Sequence, residues 1–309
     1  MTNDFLTDDP IVVDTALLHQ WPLPMPSGDS DKEGRGHVLV IGGSREMPGA
    51  VILAATAALR AGAGKLTVAT GASVAQLVAQ AIHESRVIGL PETDDGGIAP
   101  GCVDQFDALI GKVDAVLIGP GMQDEAATCA FVRALLPKFA EARIVLDAYA
   151  MGAVVGLVRG PKLTSHDKLF NLPILLTPHA GEMAHLTGVD KEAVLADGRQ
   201  TVMRAAQLWN SVVALKGATT LIATPRGQVW QHSGGNLGLA ISGSGDTLAG
   251  IIAGLAARGA SLEQAGVWGV ALHARAGDAL AQRVGLLGYL AREIAGEVPS
   301  LMHALSVEQ

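Results

Sequence analysis

From His37 onward the chain repeats one unit: a short run of aliphatic and β-branched residues, a turn, then an alanine-rich helical stretch. The runs HVLVIGG (37–43), KLTVAT (65–70), SRVIGL (85–90), AVLIGP (115–120), RIVLDA (143–148) and ILLTP (174–178) are apolar at nearly every position. A strand covered on both faces has that character, because neither side meets water. Helical stretches at 49–61, 124–139 and 190–209 separate such runs. Strands alternating with helices in this way specify a mostly parallel, doubly wound sheet with helices on both faces. The alternation then stops. VVALK (212–216), TTLIAT (219–224) and QVWQH (228–232) follow one another with only turn residues between them, which predicts a hairpin or meander at one sheet edge. An all-helical part begins at Asp246 and runs through 261–284. No Pro- or Ser-rich linker divides the chain, so the expectation is a single α/β domain over 37–305. Residues 1–36 form an extension with a short helix near 13–20 and a loop carrying Pro22, Pro24 and Pro26.

Composition narrows the function classes. The 309 residues are 49% hydrophobic and 17% charged, enough to build a core and too apolar for disorder. A net charge of −8 argues against nucleic acid, whose phosphates need a basic face. A single phosphate held by backbone amides remains compatible with that charge. Cys102 and Cys129 are too few for a disulfide framework or a four-thiolate zinc site, which fits a reducing compartment. The opening MTNDFLTDDP has neither a basic n-region nor an apolar h-region, and no window reaches roughly 18 uninterrupted apolar residues. The expectation is a soluble, cytoplasmic protein with no membrane partner.

The densest motif is NLGLAISGSGD (236–246), followed by the helical run TLAGIIAGLAARG. Gly243 and Gly245 flank Ser244 and allow conformations closed to residues with a Cβ. First-turn amides at the positive end of a helix make an anion hole for a phosphate. Asp246 lies beside it, placed to take a proton from an attacking hydroxyl. Taken alone, Ser244 and Asp246 serve equally as helix caps. LTPHAGE (176–182) ends a strand predicted to be buried, and ligands of open parallel sheets bind beyond the carboxyl ends of strands. His179 and Glu182 lack the third ligand of a catalytic zinc; Glu182 suits Mg²⁺ held through water, or the start of a helix. GGSREMPGA (42–50) and GAGK (62–65) match neither G-x-G-x-x-G nor a Walker A loop. IGPG (118–121) is another glycine turn at a strand end. Lys216, leaving a strand in LKGATT, reads either as a phosphate contact or as a solvated strand-end lysine.

Six segments taken in order resemble the ADP-dependent NAD(P)H-hydrate dehydratase family. They are VLVIGGSREMPGAVILAATAALRAGAGKLTVAT, DAVLIGPGM, VLDAYA, LTPHAGEMAHLTG, VALKGATTLIATPRG and GNLGLAISGSGDTLAGIIAGLAARG, which together cover most of 37–259. The resemblance implies a ribokinase-like fold and a nicotinamide-cofactor repair activity. ADP would phosphorylate the ring hydroxyl of the S epimer of NADHX or NADPHX, and loss of phosphate would regenerate NAD(P)H. It implies substrate contacts at Ala50, Gly121, His179 and Asp246, with Asp246 as base. Nucleotide contacts would fall at Lys216, Gly217, Ala218, Thr219, Thr220 and Gly245, an anion hole at Gly243–Gly245, and Mg²⁺ near Glu182. Related sugar and vitamin kinases carry Asn-x-x-Glu where this chain has His179 and Glu182, and an ATP-dependent kinase of that kind is the competing function. A non-catalytic nucleotide sensor is a third. The family usually reads LDADA where this chain reads LDAYA, so Tyr149 replaces an acid while Asp147 remains. A homotetramer is implied, as is a separate epimerase, since the epimerase domain fused to many members does not fit in residues 1–36.

Overall fold

A computed structural model of the chain describes residues 9–29, 31–155 and 174–307. Residues 1–8 and Ser30 of the expected extension, and 156–173 of the expected domain, lie outside the described residues. Seven strands are mutually parallel: β2 (His37–Ile41), β3 (Lys65–Gly71), β4 (Ser85–Leu90), β5 (Ala115–Ile118), β6 (Arg143–Leu146), β7 (Leu175–Leu176) and β8 (Val212–Leu215). β9 (Thr219–Ala223) runs antiparallel to β8 and to β10 (Val229–Ser233), so the meander forms. It does not end the sheet. The edge is β1 (Ile11–Val12), paired parallel to β10, giving among the described residues the order β1-β10-β9-β8-β7-β6-β5-β2-β3-β4. Order reverses between β2 and β5, and a crevice opens at such a reversal beyond the strand ends.

Side chains alternate across the pleat into two cores. Val38, Val40, Ala115, Leu117, Val145 and Leu175 face one layer, while Leu39, Ile41, Val116, Ile118, Ile144 and Leu146 face the other. Each full burial of such a side chain contributes about 1.5–3 kcal/mol, so neither face of the sheet can be left bare. The first layer is covered by α2 (Pro48–Arg60), α8 (Ser244–Ala257), α9 (Leu262–Arg283) and α10 (Ala291–Val307). The second is covered by α4 (Glu125–Leu135), α5 (Ala180–Thr187), α6 (Lys191–Ala196) and α7 (Gly198–Trp209). Among the described residues the remaining α-helices are α1 (Thr15–Gln20) and α3 (Ala75–Ala81).

Two expected helices are shorter than their patterns. The stretch 190–209 breaks at Asp197, whose carboxylate accepts the Gln200 amide at 3.2 Å and starts α7 afresh. The stretch 124–139 leaves the α form after Leu135 and ends as a 3-10 turn over Leu136–Phe139. Pro137 has no N–H to continue the ladder.

The extension is stitched onto the sheet edge. Besides β1, Val13 donates its amide to the Gln231 carbonyl at 2.8 Å, and Trp21 stacks on Trp230 with ring centroids 5.7 Å apart. Trp268 Nε1 and Gln264 Nε2 both donate to the Trp21 carbonyl. On the same face α2 and α8 run side by side in one direction. A Cβ added at Gly250 would lie 2.1 Å from the Ala54 carbonyl oxygen, and one at Gly254 would lie 2.3 Å from that of Ala58. Only glycine permits this approach, and it sets the position of the α8 N-terminus against that of α2.

Candidate functional site

The carboxyl ends of β2, β5, β6, β7 and β8 meet along one edge of the sheet, and the residues singled out in the sequence collect there. Beyond β5, Gly121 has φ +68°, in the left-handed region, and a Cβ on it would lie 2.6 Å from both the Ala50 Cβ and the Met47 carbonyl. Gly121 and the first turn of α2 are therefore in contact through the absence of a side chain. The N-cap of α2 is Met47, which offers no side-chain acceptor, and Pro48 follows at the first helical position.

Beyond β7 the chain turns into α5 through a reciprocal cap. His179 Nδ1 accepts from the amides of Gly181 (3.0 Å) and Glu182 (3.1 Å), while Glu182 Oε2 accepts from the His179 amide at 2.7 Å. That closed arrangement consumes both residues in helix starting. Beyond β8, Lys216 donates its amide to the Pro178 carbonyl at 2.7 Å, continuing the β7–β8 pairing one step further. Gly217, Ala218 and Thr219 then form an exposed turn into β9, with Thr219 Oγ1 3.1 Å from Ser233 Oγ. Thr220 is buried, and its hydroxyl donates to the Gly217 carbonyl at 3.4 Å.

The electrostatic centre is Lys216. Its ammonium lies 3.3 Å from Asp147 Oδ1 and 3.7 Å from Glu182 Oε2. Burial works against its charge, yet Asp147, Glu182 and Asp246 outweigh that and raise its pKa above the usual lysine value. Asp147, at the end of β6, is only 3% exposed and also accepts a hydrogen bond from Thr177 Oγ1 at 2.6 Å. From their positions in the sequence, Asp147 and Thr177 do no more than follow buried strands. A lysine leaving a strand reads as solvated; here it is enclosed by carboxylates.

A Cβ placed on Gly245 would lie 3.4 Å from Lys216 Nζ, so the first turn of α8 borders this cluster. Gly243, at φ +87°, is the N-cap of α8, and no side chain caps the turn. Neither Ser244 nor Asp246 plays that part. The Ser244 amide donates to the Ile241 carbonyl at 3.3 Å, which takes it out of the expected anion hole. The amides of Gly245 and Asp246 stand where a helix supplies no carbonyl of its own. Asp246 is partly exposed, and its pKa is pushed up to about 6, by burial first and by the Asp147 carboxylate next, with Lys216 pulling the other way. A carboxylate with that affinity is matched to proton abstraction near neutral pH.

A cavity of about 550 Å³ adjoins the cluster. Gly121, His179 and Glu182 line it together with Met47, Tyr149 and His185. Asp246 is not among its lining residues. Tyr149 follows Ala148, whose φ of +48° is uncommon for a residue with a Cβ, and it is 48% exposed at the cavity wall. At the mouth His185 Nε2 is 2.8 Å from Glu125 Oε1. Among the described residues no group of three or more His, Cys, Asp or Glu is placed to hold a metal ion, and no helix is long and apolar enough to cross a membrane.

Comparison with known proteins points one way. The profile of a family described as NAD(P)H-hydrate dehydratase matches residues 38–300. The ADP-dependent (S)-NAD(P)H-hydrate dehydratase of Xanthomonas campestris is 48% identical over 95% of this chain and 96% of its own length. A bifunctional NAD(P)H-hydrate repair enzyme of Moorella thermoacetica is 38% identical over 95% of this chain, which spans 54% of that longer protein. Among solved structures, the ADP/ATP-dependent NAD(P)H-hydrate dehydratase of Bacillus subtilis, co-crystallised with ATP and Mg²⁺, superposes with a TM-score of 0.78 at 26% identity, over 97% of this chain and all of that one. Solved relatives also include a protein of the ribokinase-like superfamily from Enterococcus faecalis, with the same TM-score at 25% identity.

Proposed function

The chain belongs to the NAD(P)H-hydrate dehydratase family, and on that premise we propose that it is a hydro-lyase returning the S epimer of hydrated NADH or NADPH to the reduced cofactor, with ADP as phosphoryl donor. One observation carries the reading. A carboxylate whose pKa stands at about 6 lies in the uncapped first turn of α8, beside an enclosed ammonium.

In this reading Asp246 takes the proton of the ring hydroxyl as that oxygen attacks the terminal phosphorus of ADP. The phosphorus–oxygen bond to the leaving AMP breaks. The amides of Gly245 and Asp246 hold the charge that develops on the equatorial oxygens, already oriented before the reaction begins. Phosphate then leaves the ring carbon with its bonding electrons, pushed by the ring nitrogen, and the neighbouring ring carbon gives up a proton to restore the double bond. Phosphorylation makes sense of the sequence of events, because hydroxide leaves poorly and phosphate leaves well. Lys216 offsets part of the charge of Asp147 and Glu182, which lessens their repulsion of the negative donor. The turn Gly217–Thr220 and Gly245 are assigned to the adenine nucleotide; Ala50, Gly121 and His179 are assigned to the hydrated nicotinamide.

The donors near Glu182 do not form a cage for a divalent ion, since its Oε2 already serves the His179 amide and Lys216. They do fit Mg²⁺ arriving on the nucleotide phosphates and held through water, the usual habit of that ion. When bound, Mg²⁺ would draw charge off the transferring phosphoryl group. The assignment includes a cytoplasmic homotetramer with residues 37–305 as its domain and β1 of the extension paired at the sheet edge. A separate epimerase would supply the S epimer.

The test is direct. Hydrated NADH mixed with the protein, ADP and Mg²⁺ should give a rising dihydronicotinamide absorbance. A stable phosphorylated product would instead mark an ordinary kinase, and no turnover with ADP or ATP would remove the assignment.

A further inference from the structure

His273 sits on α9 where that helix passes the first turn of α8. Its Nε2 is 3.0 Å from the hydroxyl oxygen of Ser244 and 3.1 Å from the Ser244 carbonyl oxygen. A carbonyl oxygen can only accept, so the second contact requires the hydrogen to be on Nε2. Burial, aided by the nearby Lys216 ammonium, pushes the imidazole pKa down to about 4, and the ring is neutral at neutral pH. A neutral ring has one N–H, which leaves Nδ1 bare and Nε2 unable to act as a base toward Ser244. The pair is therefore not a serine nucleophile with its histidine.

What the contact does follows from the peptide bond. The Ser244 carbonyl and the Gly245 N–H belong to one planar trans unit and point in opposite directions. Whatever fixes the carbonyl fixes the amide. Gly245 has no side chain to resist rotation of that plane, and Gly243, one residue before Ser244, is equally permissive. We propose that His273 is a positioning residue for phosphoryl transfer, which aims the Gly245 N–H into the anion turn by donating to the Ser244 carbonyl. This rests on the phosphoryl-transfer reading above. The same helix ties down the start of the loop as well. Asp278 accepts from the Gly235 amide at 3.3 Å and from Asn236 Nδ2 at 3.1 Å, and the Tyr289 hydroxyl donates to Asn236 Oδ1 at 2.9 Å. His273 is the link at the end that meets the phosphoryl group.

Three variants test the assignment. His273→Phe keeps the ring and removes the donor; kcat should fall about 10- to 100-fold, below the loss of a whole oxyanion donor, while the KM for ADP stays within about 3-fold. His273→Gln keeps an N–H within reach and should recover most of that loss. Ser244→Ala removes the hydroxyl and leaves the carbonyl, so its loss of kcat should be smaller than that of His273→Phe. A purely structural role would lower the folded fraction without separating kcat from KM, and the glutamine would not rescue it. The proposal is overturned if the phenylalanine variant keeps its kcat, if glutamine is no better than phenylalanine, or if Ser244→Ala is as damaging. Imidazole ¹⁵N shifts of the unmodified protein give a reading that needs neither variant nor turnover. A neutral ring with its proton on Nε2 is expected, and a proton on Nδ1 alone or an imidazolium at neutral pH would overturn the assignment. Absence of dehydratase turnover with that tautomer present would count against the proposed reaction and leave the hydrogen bond standing.

Discussion

Of the helices that begin at the site, α5 and α8 begin in opposite ways. At the start of α5, His179 and Glu182 satisfy each other's backbone amides in a closed reciprocal cap. At the start of α8, a left-handed glycine leads into a turn that no side chain caps. Both starts follow from local sequence, HAGE in one case and GSGD in the other. The first spends its amides on itself. The second leaves the amides of Gly245 and Asp246 without a side-chain cap and sets the Asp246 carboxylate in the same turn. An acid in the first turn of a helix is ordinarily stabilised by the dipole, yet the environment of Asp246 disfavours its charge. The difference separates a turn built for rigidity from a turn built for chemistry.

The sharpest way to test that contrast is Asp246→Asn, which preserves shape and removes the base. Turnover should fall by about 10²- to 10⁴-fold while calorimetry shows ADP binding little changed; equal activity would erase the distinction between the two starts. Next in size is Lys216→Met. Asp147 and Glu182 would then face each other without their cation, and chemical denaturation should register a loss of about 3 kcal/mol or more. The pH–rate profile gives the third test. In the proposed mechanism the ionised form of Asp246 is the base, so kcat/KM should rise as pH passes through about 6 and level off above it. In Lys216→Met that limb should move to higher pH, since the lysine pulls the Asp246 pKa down. Stability carries the opposite sign. The folded protein holds the Asp246 proton more tightly than the unfolded chain does, so this group's contribution to stability falls as pH rises from 3.8 toward 6. The fall should be missing in Asp246→Asn. The smallest effect belongs to the closed cap. His179→Ala should cost about 1 kcal/mol, seen as a melting point lower by about 2–4 °C, with turnover reduced far less than in Asp246→Asn. A loss as deep as that of Asp246→Asn would break the comparison.

Much of this was legible because it is local. Continuous apolar runs announced the buried parallel strands, and a run of three strands without helices announced the antiparallel meander, though not its place inside the edge strand β1. GSGD announced an open helix start. Most of what stayed hidden depends on partners far away in the chain. β1 is two residues with no pattern of its own, defined only by β10 more than two hundred positions later. The break at Asp197 turns on one capping carboxylate inside an otherwise helical pattern. Lys216 reads either as a phosphate contact or as a solvated strand-end lysine, and neither reading foresees the Asp147 and Glu182 carboxylates around it. His273 lies in a helix whose sequence carries no hint that α8 starts beside it. Removal of the Ser244 amide from the anion turn is also invisible in GSGD, because the Ile241 carbonyl that takes it comes from how the preceding loop folds back.

The glycine contacts between α2 and α8 reach further than packing. The two helices point the same way, and each opens on the site, one with Ala50 and the other with Asp246. The gauge between those two ends is thus set by methyl groups missing at Gly250 and Gly254, one to two turns and more below the reacting atoms. A methyl added to that seam would act as a shim, shifting acceptor against donor without altering a single group that either one touches. Drift in the enzyme's rate among relatives can therefore be written in a part of the chain that no inspection of the pocket would think to read.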